Sequence, residues 1–165
     1  MAEIKIVIPT MYTYVLDSSR GSKYPNDYGE AENNPPYVMA AMMLHGRVYV
    51  EQFSDSVLRD PKMEEVAGKV VVEVDPSLDK IFQGTDKSPA QVKITLKDRK
   101  KELFDAADYP RGSPQNPATP EEIENKFVEL AGIVLKKDKA REIARMVRKL
   151  ERLDNLRDFI RLLIA

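Results

Sequence analysis

The side chains best placed to do chemistry lie in one stretch, Ala31 to Gly46, which reads Ala-Glu-Asn-Asn-Pro-Pro-Tyr-Val-Met-Ala-Ala-Met-Met-Leu-His-Gly. Asn34 followed by Pro35 is a helix-start signature, since asparagine caps well and proline is tolerated at the first helical position. A helix start offers unpaired N–H groups and a partial positive charge, which suits a carboxylate ligand. Pro35 and Pro36 bring no N–H, so only Tyr37 and Val38 keep donors in that turn. The plainer account, favoured by spacing alone, is that Asn33 and Asn34 simply cap the helix. His45, the single histidine, falls in the last turn, where the helix dipole favours a cation; a structural role outweighs a catalytic one. Further on, Arg141, Arg145, Arg148 and Arg152 share a helix face, and residues 136–152 hold eight Lys or Arg against three Asp or Glu. Such a stripe can meet RNA phosphates. No aromatic residue interleaves with it to stack on bases, so a solvated or salt-bridged face is the better account.

Bulk properties narrow the field. A chain of 165 residues is one domain, or one with a small appendage. A net charge of −1 provides no field to draw in nucleic acid or membrane. The absence of cysteine removes disulfides, thiolate nucleophiles and cysteine metal sites, and one histidine excludes a multi-histidine metal site within the chain. No metal and no cofactor is expected. The start of the chain lacks a basic region followed by an apolar core, which makes a cytoplasmic protein the expectation.

The elements that must position these groups follow from periodicity and punctuation. Pro35 to His45 reads as a helix stopped by Gly46. Tyr37, Ala40, Ala41 and Leu44 form one face, Met39 and Met43 another, and Val38 and Met42 a third. A helix apolar all round is expected to be buried on all sides, and this one is too short to span a bilayer. Ile4, Ile6 and Ile8 mark a strand that Pro9 ends. Tyr12 to Leu16 reads as a second short strand, and Asp17 to Tyr28 as a loop. Val48 to Phe53 is extended or a helix start, and Ser54 to Asp60 is helical. Asp60-Pro61 opens a helix that runs through Ala67 and ends at Gly68. Val70 to Val74 reads as a buried strand, and Asp75-Pro76 opens a helical turn. Gln91 to Lys97, with Val92, Ile94 and Leu96 on one face, forms a hairpin with Lys101 to Phe104 around Asp98-Arg99. Pro110, Pro114 and Pro117 stiffen the loop from Tyr109 to Thr119. Thr119-Pro120-Glu121-Glu122 is a capping box, and its helix carries Ile123, Phe127, Leu130, Ala131 and Val134. A second helix from about Asp138 is expected to bury Ala140, Ile143, Ala144, Val147 and Leu150. A third carries Leu156, Phe159, Ile160 and Leu163. The expected fold is α+β, a small mixed or antiparallel sheet packed on a central buried helix, over residues 1–118. A helical C-terminal arm follows over 119–165.

Five segments in order give the chain a family resemblance. They are Glu30 to Tyr37 with Met39, Ala40 and Gly46; Gln52-Phe53-Ser54; Asp60-Pro61 with Lys69-Val70 and Asp75; Tyr109-Pro110-Arg111-Gly112 with Asn116-Pro117; and Glu121 to Phe127. In this order and spacing they resemble the small domain of the MmgE/PrpD family, the group that includes 2-methylcitrate dehydratase, cis-aconitate decarboxylase and iminodisuccinate epimerase. Glu30 to Tyr37 stands where many members carry a segment like Thr-Ala-Asp-His-Ser-Leu-Pro-Tyr. The segment from Tyr109 is similar to the family's Pro-x-Gly-x-Pro-x-Asn-Pro run and the Lys-Phe helix after it.

The resemblance implies a substrate-cleft wall for small polycarboxylates in residues 1–118. It makes Tyr37, matching the family's tyrosine, the candidate acid or hydrogen-bond donor; the alternative is a core aromatic bonded to backbone. Asn33 stands where the family segment has histidine, and asparagine can position a substrate but not carry a proton. Asn33 and Asn34 are therefore candidate substrate contacts. Lys23 and Arg111, in flanking loops, can pair with a carboxylate, arginine in bidentate fashion; each by itself reads better as a solvated charge. The family's full chain also has a large helical domain holding most of the proton-abstracting residues. The expectation is therefore the small subunit of a split lyase or epimerase, inactive alone. A separate helical subunit would complete it, docked through the apolar end from Leu156 to Ile164, and a homo-oligomer is plausible because relatives are commonly dimers. Two alternatives stand beside it: a non-catalytic binding or assembly module that keeps the fold, and, lowest, a nucleic-acid-binding protein using the Arg141–Arg152 stripe.

Overall fold

A computed structural model describes residues 3–13, 24–83, 85–97 and 101–164. The chain divides into two compact units, Met1–Pro110 and Arg111–Ala165. The fold is α+β, as the sequence leads one to expect.

The first unit is built on a four-stranded mixed sheet in the order β2-β1-β3-β4. Its strands are β1 (Glu3–Ile8), β2 (Val70–Val74), β3 (Ala90–Thr95) and β4 (Glu102–Ala107). β1 is central, parallel to β2 with Ile4 opposite Val70, and antiparallel to β3 with Ile4 opposite Ile94. Alternation then separates the two faces of the sheet. Ile4, Ile6, Ile8 and Val70 are buried with Val72, Val74, Val92 and Ile94 packed around them. The other face carries polar side chains tied by ion pairs, Lys5 to Glu73 at 2.6 Å and Lys93 to Glu102 at 2.8 Å. β3 and β4 form the expected hairpin, with Ile94 opposite Leu103; its turn at Asp98-Arg99 lies outside the described residues.

Among the described residues, four α-helices lie in the connection from β1 to β2: α1 (Tyr28–Glu32), α2 (Pro35–His45), α3 (Asp55–Leu58) and α4 (Pro61–Ala67). α2 has the expected bounds, with Asn34 as cap and Gly46 closing it at φ 70°, a conformation glycine adopts without strain. Tyr37, Ala40 and Ala41 are fully buried against Leu58, Met63 and Ala67, while Met39 reaches the sheet cluster. α2 thus joins the two apolar clusters of the unit.

The expectation of burial on every side is corrected. Met42, Met43 and Leu44 are each more than 40 % exposed, while Tyr37, Ala40 and Ala41 are the helix's buried residues. Val70 to Val74 is corrected too. β2 alternates between faces, so Val71 lies with Glu73 on the polar face opposite Lys5 and is exposed, and Val70 is its one buried residue. Thr10–Tyr12 forms a 3-10 turn rather than the start of a strand, and residues 14–16 lie outside the described residues. Residues 50–53 also form a 3-10 turn, and α5 (Ser77–Gln83) follows Asp75-Pro76.

The second unit is helical: α6 (Pro120–Ala131), α7 (Lys137–Val147) and α8 (Leu156–Leu163). Thr119 and Glu122 make the expected reciprocal capping box. Val128, Ala140, Ile143 and Ala144 are its buried residues, whereas Ile123, Val147 and Leu150 are exposed. The assignment of Val147 and Leu150 to a buried face is therefore corrected. Three helices of 8 to 12 residues have too few mutual contacts to cover every apolar position.

Candidate functional site

The segment from Asp27 to Tyr37 is a helix–cap–helix joint. The Asp27 carboxylate caps α1 by accepting from the Glu30 N–H at 2.9 Å. Glu30 returns the favour to the chain before it, its Oε2 accepting from the Asn26 N–H at 2.9 Å and from Nδ2 at 3.0 Å. Asn33 ends α1, and its exposed side-chain amide donates to the Gly29 carbonyl at 3.3 Å. Asn34 is 2 % exposed, and its Oδ1 accepts from the Tyr37 N–H at 2.9 Å.

This joint settles the chemistry of the α2 start. Pro35 and Pro36 have no donors. The Tyr37 N–H is held by the Asn34 side chain, and the Val38 N–H by the Asn34 carbonyl at 3.0 Å. No free N–H remains in that turn to meet a carboxylate. Asn34 caps α2, as the plainer account of the spacing expects.

Tyr37 points inward. It is fully buried, its ring lies 5.7 Å from that of Tyr24 and 5.9 Å from that of Phe53, and its hydroxyl donates to the Gln52 carbonyl. Burial pushes the phenol above its ordinary pKa. Tyr24 donates to the Leu58 carbonyl at 2.7 Å, and burial, reinforced by Tyr37, Glu64 and Asp60, raises it to about 12. Both hydroxyls stay protonated; that of Tyr37 fastens the 3-10 turn to α2, and that of Tyr24 fastens α3 to the segment before α1. Gln52, named in the sequence only for the family resemblance, has a structural role the sequence did not show: it is buried, with its carbonyl on Tyr37 and its Oε1 accepting from the Tyr49 N–H at 2.9 Å. Polar residues at such positions carry no periodic signal.

Arg111 lies in the second unit and is fully engaged within it. Its guanidinium forks onto Glu122, donates from Nε to Oε1 at 3.2 Å, and reaches the Asn116 side-chain oxygen at 2.8 Å. Arg111 first, then the Thr119 N–H and hydroxyl, hold the Glu122 carboxyl down at about 2. The pair pins the proline loop to the capping box, with Gly112 at φ 97° making the bend. Lys23 lies outside the described residues. His45 is exposed at the end of α2. Among the described residues no group of three or more His, Cys, Asp or Glu side chains comes together to hold a metal ion, and no helix is long and apolar enough to cross a membrane.

The expected arginine stripe does not run along one helix: Arg141 and Arg145 lie on α7, Arg148 caps its end and Arg152 falls in a following 3-10 turn, and all four are tied up locally. Arg141 pairs with Asp138 at 3.3 Å, Arg148 with Glu124 at 2.8 Å and Arg152 with Glu151 at 3.6 Å. Arg145 donates to the Arg141 carbonyl at 3.4 Å.

Two known enzymes are similar to this sequence. The cis-aconitate decarboxylase of Mus musculus is 29 % identical over 140 residues, covering 85 % of this chain and 28 % of its own length. The human enzyme is 28 % identical over 138 residues, covering 80 % of this chain and 27 % of its own. The chain thus spans little more than a quarter of the length of these relatives. The family model of the MmgE/PrpD C-terminal domain matches residues 1–152, the whole sheet unit and the first two helices of the second, and on that match the chain belongs to the MmgE/PrpD family.

Proposed function

We propose that the chain is one wall of the cleft of an MmgE/PrpD-like lyase or epimerase that acts on small polycarboxylates of the 2-methylcitrate or aconitate type. A separate helical subunit supplies the other wall, and the chain alone is inactive. The observation that carries this reading is the family match over residues 1–152, joined to similarity with two decarboxylases of which the chain covers little more than a quarter.

The side chains support a division of labour. Proton transfer needs a group whose pKa lies near the working pH. Tyr24 and Tyr37 are held protonated by burial, and Asn33 cannot titrate. The acid and base therefore belong to the helical partner. Tyr37 and Asn34 act as positioning residues that fix the joint between α1 and α2. Asn33, exposed beside that joint, is the amide that meets a substrate carboxylate, with Lys23 as its cationic companion. Arg111 holds the proline loop in place and turns to substrate only by releasing Glu122. The exposed end of α2, with Met42, Met43 and Leu44, is an apolar surface for the helical partner, because relatives carry most of their length outside the matched region.

A non-catalytic module that keeps the fold is the second reading, favoured by the closed start of α2. Nucleic-acid binding draws little support, since three of the four stripe arginines sit in ion pairs within the unit. The test is to mix the chain with a separately expressed helical chain of the same family, measure native mass, and assay cis-aconitate and 2-methylcitrate turnover. Complex formation with turnover only in the mixture supports the split lyase, and Asn33→Ala should then raise KM more than it lowers kcat. No complex, together with no shift in thermal unfolding on adding citrate or cis-aconitate, establishes the second reading instead.

A further inference from the structure

Asn34 and Gln52 are the buried polar side chains among the described residues, at 2 % and 6 % exposure. Burying an amide costs free energy unless its groups find partners. Asn34 is accounted for as the cap of α2. Gln52 lies in the 3-10 turn Val50–Phe53 and bonds in two directions. Along its own turn, the Gln52 N–H donates to the Tyr49 carbonyl at 3.2 Å, and the Tyr49 N–H donates to Gln52 Oε1 at 2.9 Å. This reciprocal pair holds the turn closed. Away from the turn, the Gln52 carbonyl accepts from the Tyr37 hydroxyl. The side-chain Nε2 has no acceptor among the described residues, so the side chain works as an acceptor alone.

Phe53, the next residue, widens the grip of the turn. Its ring lies 5.9 Å from that of Tyr37 and 5.7 Å from that of Tyr28. Tyr28 opens α1, and Tyr37 lies in the first turn of α2. The 3-10 turn therefore holds both helices that flank Asn33 and Asn34. Asn33 itself is exposed, and its amide donates to the Gly29 carbonyl at 3.3 Å, a long bond. Its place follows from how α1 and α2 meet, and the turn is what fixes that meeting.

We propose that Gln52 is the positioning residue of this joint. Its side-chain acceptor holds the 3-10 turn in the shape that, through Tyr37 and Tyr28, sets where Asn33 presents its amide to a polycarboxylate substrate. The proposal rests on the reading of Asn33 as the substrate contact. It gives Gln52 no contact with substrate and no part in proton transfer. A hydrocarbon side chain of the same length would fill the same space, so what the buried amide adds is the acceptor that fixes the turn.

Two variants of the full chain separate the acceptor from the bulk. Gln52→Met keeps the length of the side chain and removes the acceptor. Gln52→Glu keeps the acceptor and gives up only an Nε2 that makes no bond. One readout is the NMR signal of the Asn33 side-chain amide, assigned by its loss in Asn33→Ala. Gln52→Met is expected to shift it, and Gln52→Glu to return it to the parent position. The other is turnover of cis-aconitate or 2-methylcitrate at saturating helical chain of the family. Gln52→Met should raise KM about fivefold, the weight of one ordinary hydrogen bond, with kcat changed less. Gln52→Glu should restore KM. Gln52→Met combined with Asn33→Ala should raise KM no further than Asn33→Ala alone, because both act through one contact. A Gln52→Met chain that loses thermal stability but leaves the Asn33 signal in place would overturn the proposal, as would effects on KM that multiply in the combined variant. If either Gln52 variant fails to fold, Tyr37→Phe removes the other tie of the turn and should shift the same Asn33 signal; an unmoved signal there overturns the proposal. If the parent mixture turns over neither substrate, the lyase reading fails instead, and the Asn33 signal still decides whether Gln52 sets the joint.

Discussion

The two units bury their apolar residues very differently. In the sheet unit, Ile4, Tyr37, Ala40, Ala41 and Met63 are wholly shielded, because sheet and helices close around α2. The helical unit shields Ala140 and Ile143 to the same degree and leaves Ile123, Ile133, Val134, Val147, Ile160 and Ile164 more than half exposed. Hydrophobic stabilisation follows the area removed from water. The first unit is therefore held by packing, while the second depends on caps, ion pairs and whatever covers its apolar surface. The lesson is that a similar apolar content yields a core only where a second layer exists to cover it.

The largest effect should come from the core of the first unit. Met63→Ala or Ile4→Ala is expected to destabilise by about 2–5 kcal/mol, the usual cost of a buried large-to-small change. Ile123→Ala in the second unit should cost no more than about 0.5 kcal/mol, as surface changes do. Urea unfolding of the three variants checks this, and equal costs would erase the contrast between the units. Next in size is Tyr37→Phe, which leaves the buried Gln52 carbonyl without its donor at a cost of about 1–3 kcal/mol. A neutral outcome would mean that the hydroxyl is free for substrate after all. Thr119→Ala should remove about 1 kcal/mol by opening the capping box of α6, seen as earlier melting of the helical unit with the sheet unit unchanged.

The pH response should divide the units as well, with smaller effects. Glu122 is lowered from 4.5 to about 2 by Arg111 and Thr119. Its contribution is present above about 4.5 and is lost as pH falls toward 2, so acid should loosen the proline loop first. Tyr24 is raised from 10.0 to about 12. Its contribution is present below 10 and is lost as pH rises through 12, so alkali should loosen the sheet unit first. Amide exchange or chemical shifts followed at both extremes report the order. Glu122→Gln should abolish the acid response and leave the alkaline one.

Much of the architecture was legible because it rests on local rules. Asn34-Pro35, Asp60-Pro61 and Thr119-Pro120 each announced a helix start, and Gly46 a stop, since caps and prolines act within one turn. Alternation at Ile4-Ile6-Ile8 and at Val92-Ile94 gave strands for the same reason. Much less of the candidate site was legible. Nothing in the segment shows that the two N–H groups left by Pro35 and Pro36 are both taken by Asn34, or that Arg111 is spent on Glu122 eleven residues away.

Sequence by itself determined most of the helix and strand segments, where the principal helices begin, and which family the chain resembles, because those depend on residue type and short spacing. Tertiary structure alone decided that the Tyr37 hydroxyl is buried on the Gln52 carbonyl, that Met42 to Leu44 and Val71 stay in solvent, and that the arginines from 141 to 152 are mostly paired. Each of those outcomes depends on what packs against the element, and a neighbour distant in the chain leaves no periodic mark in the sequence.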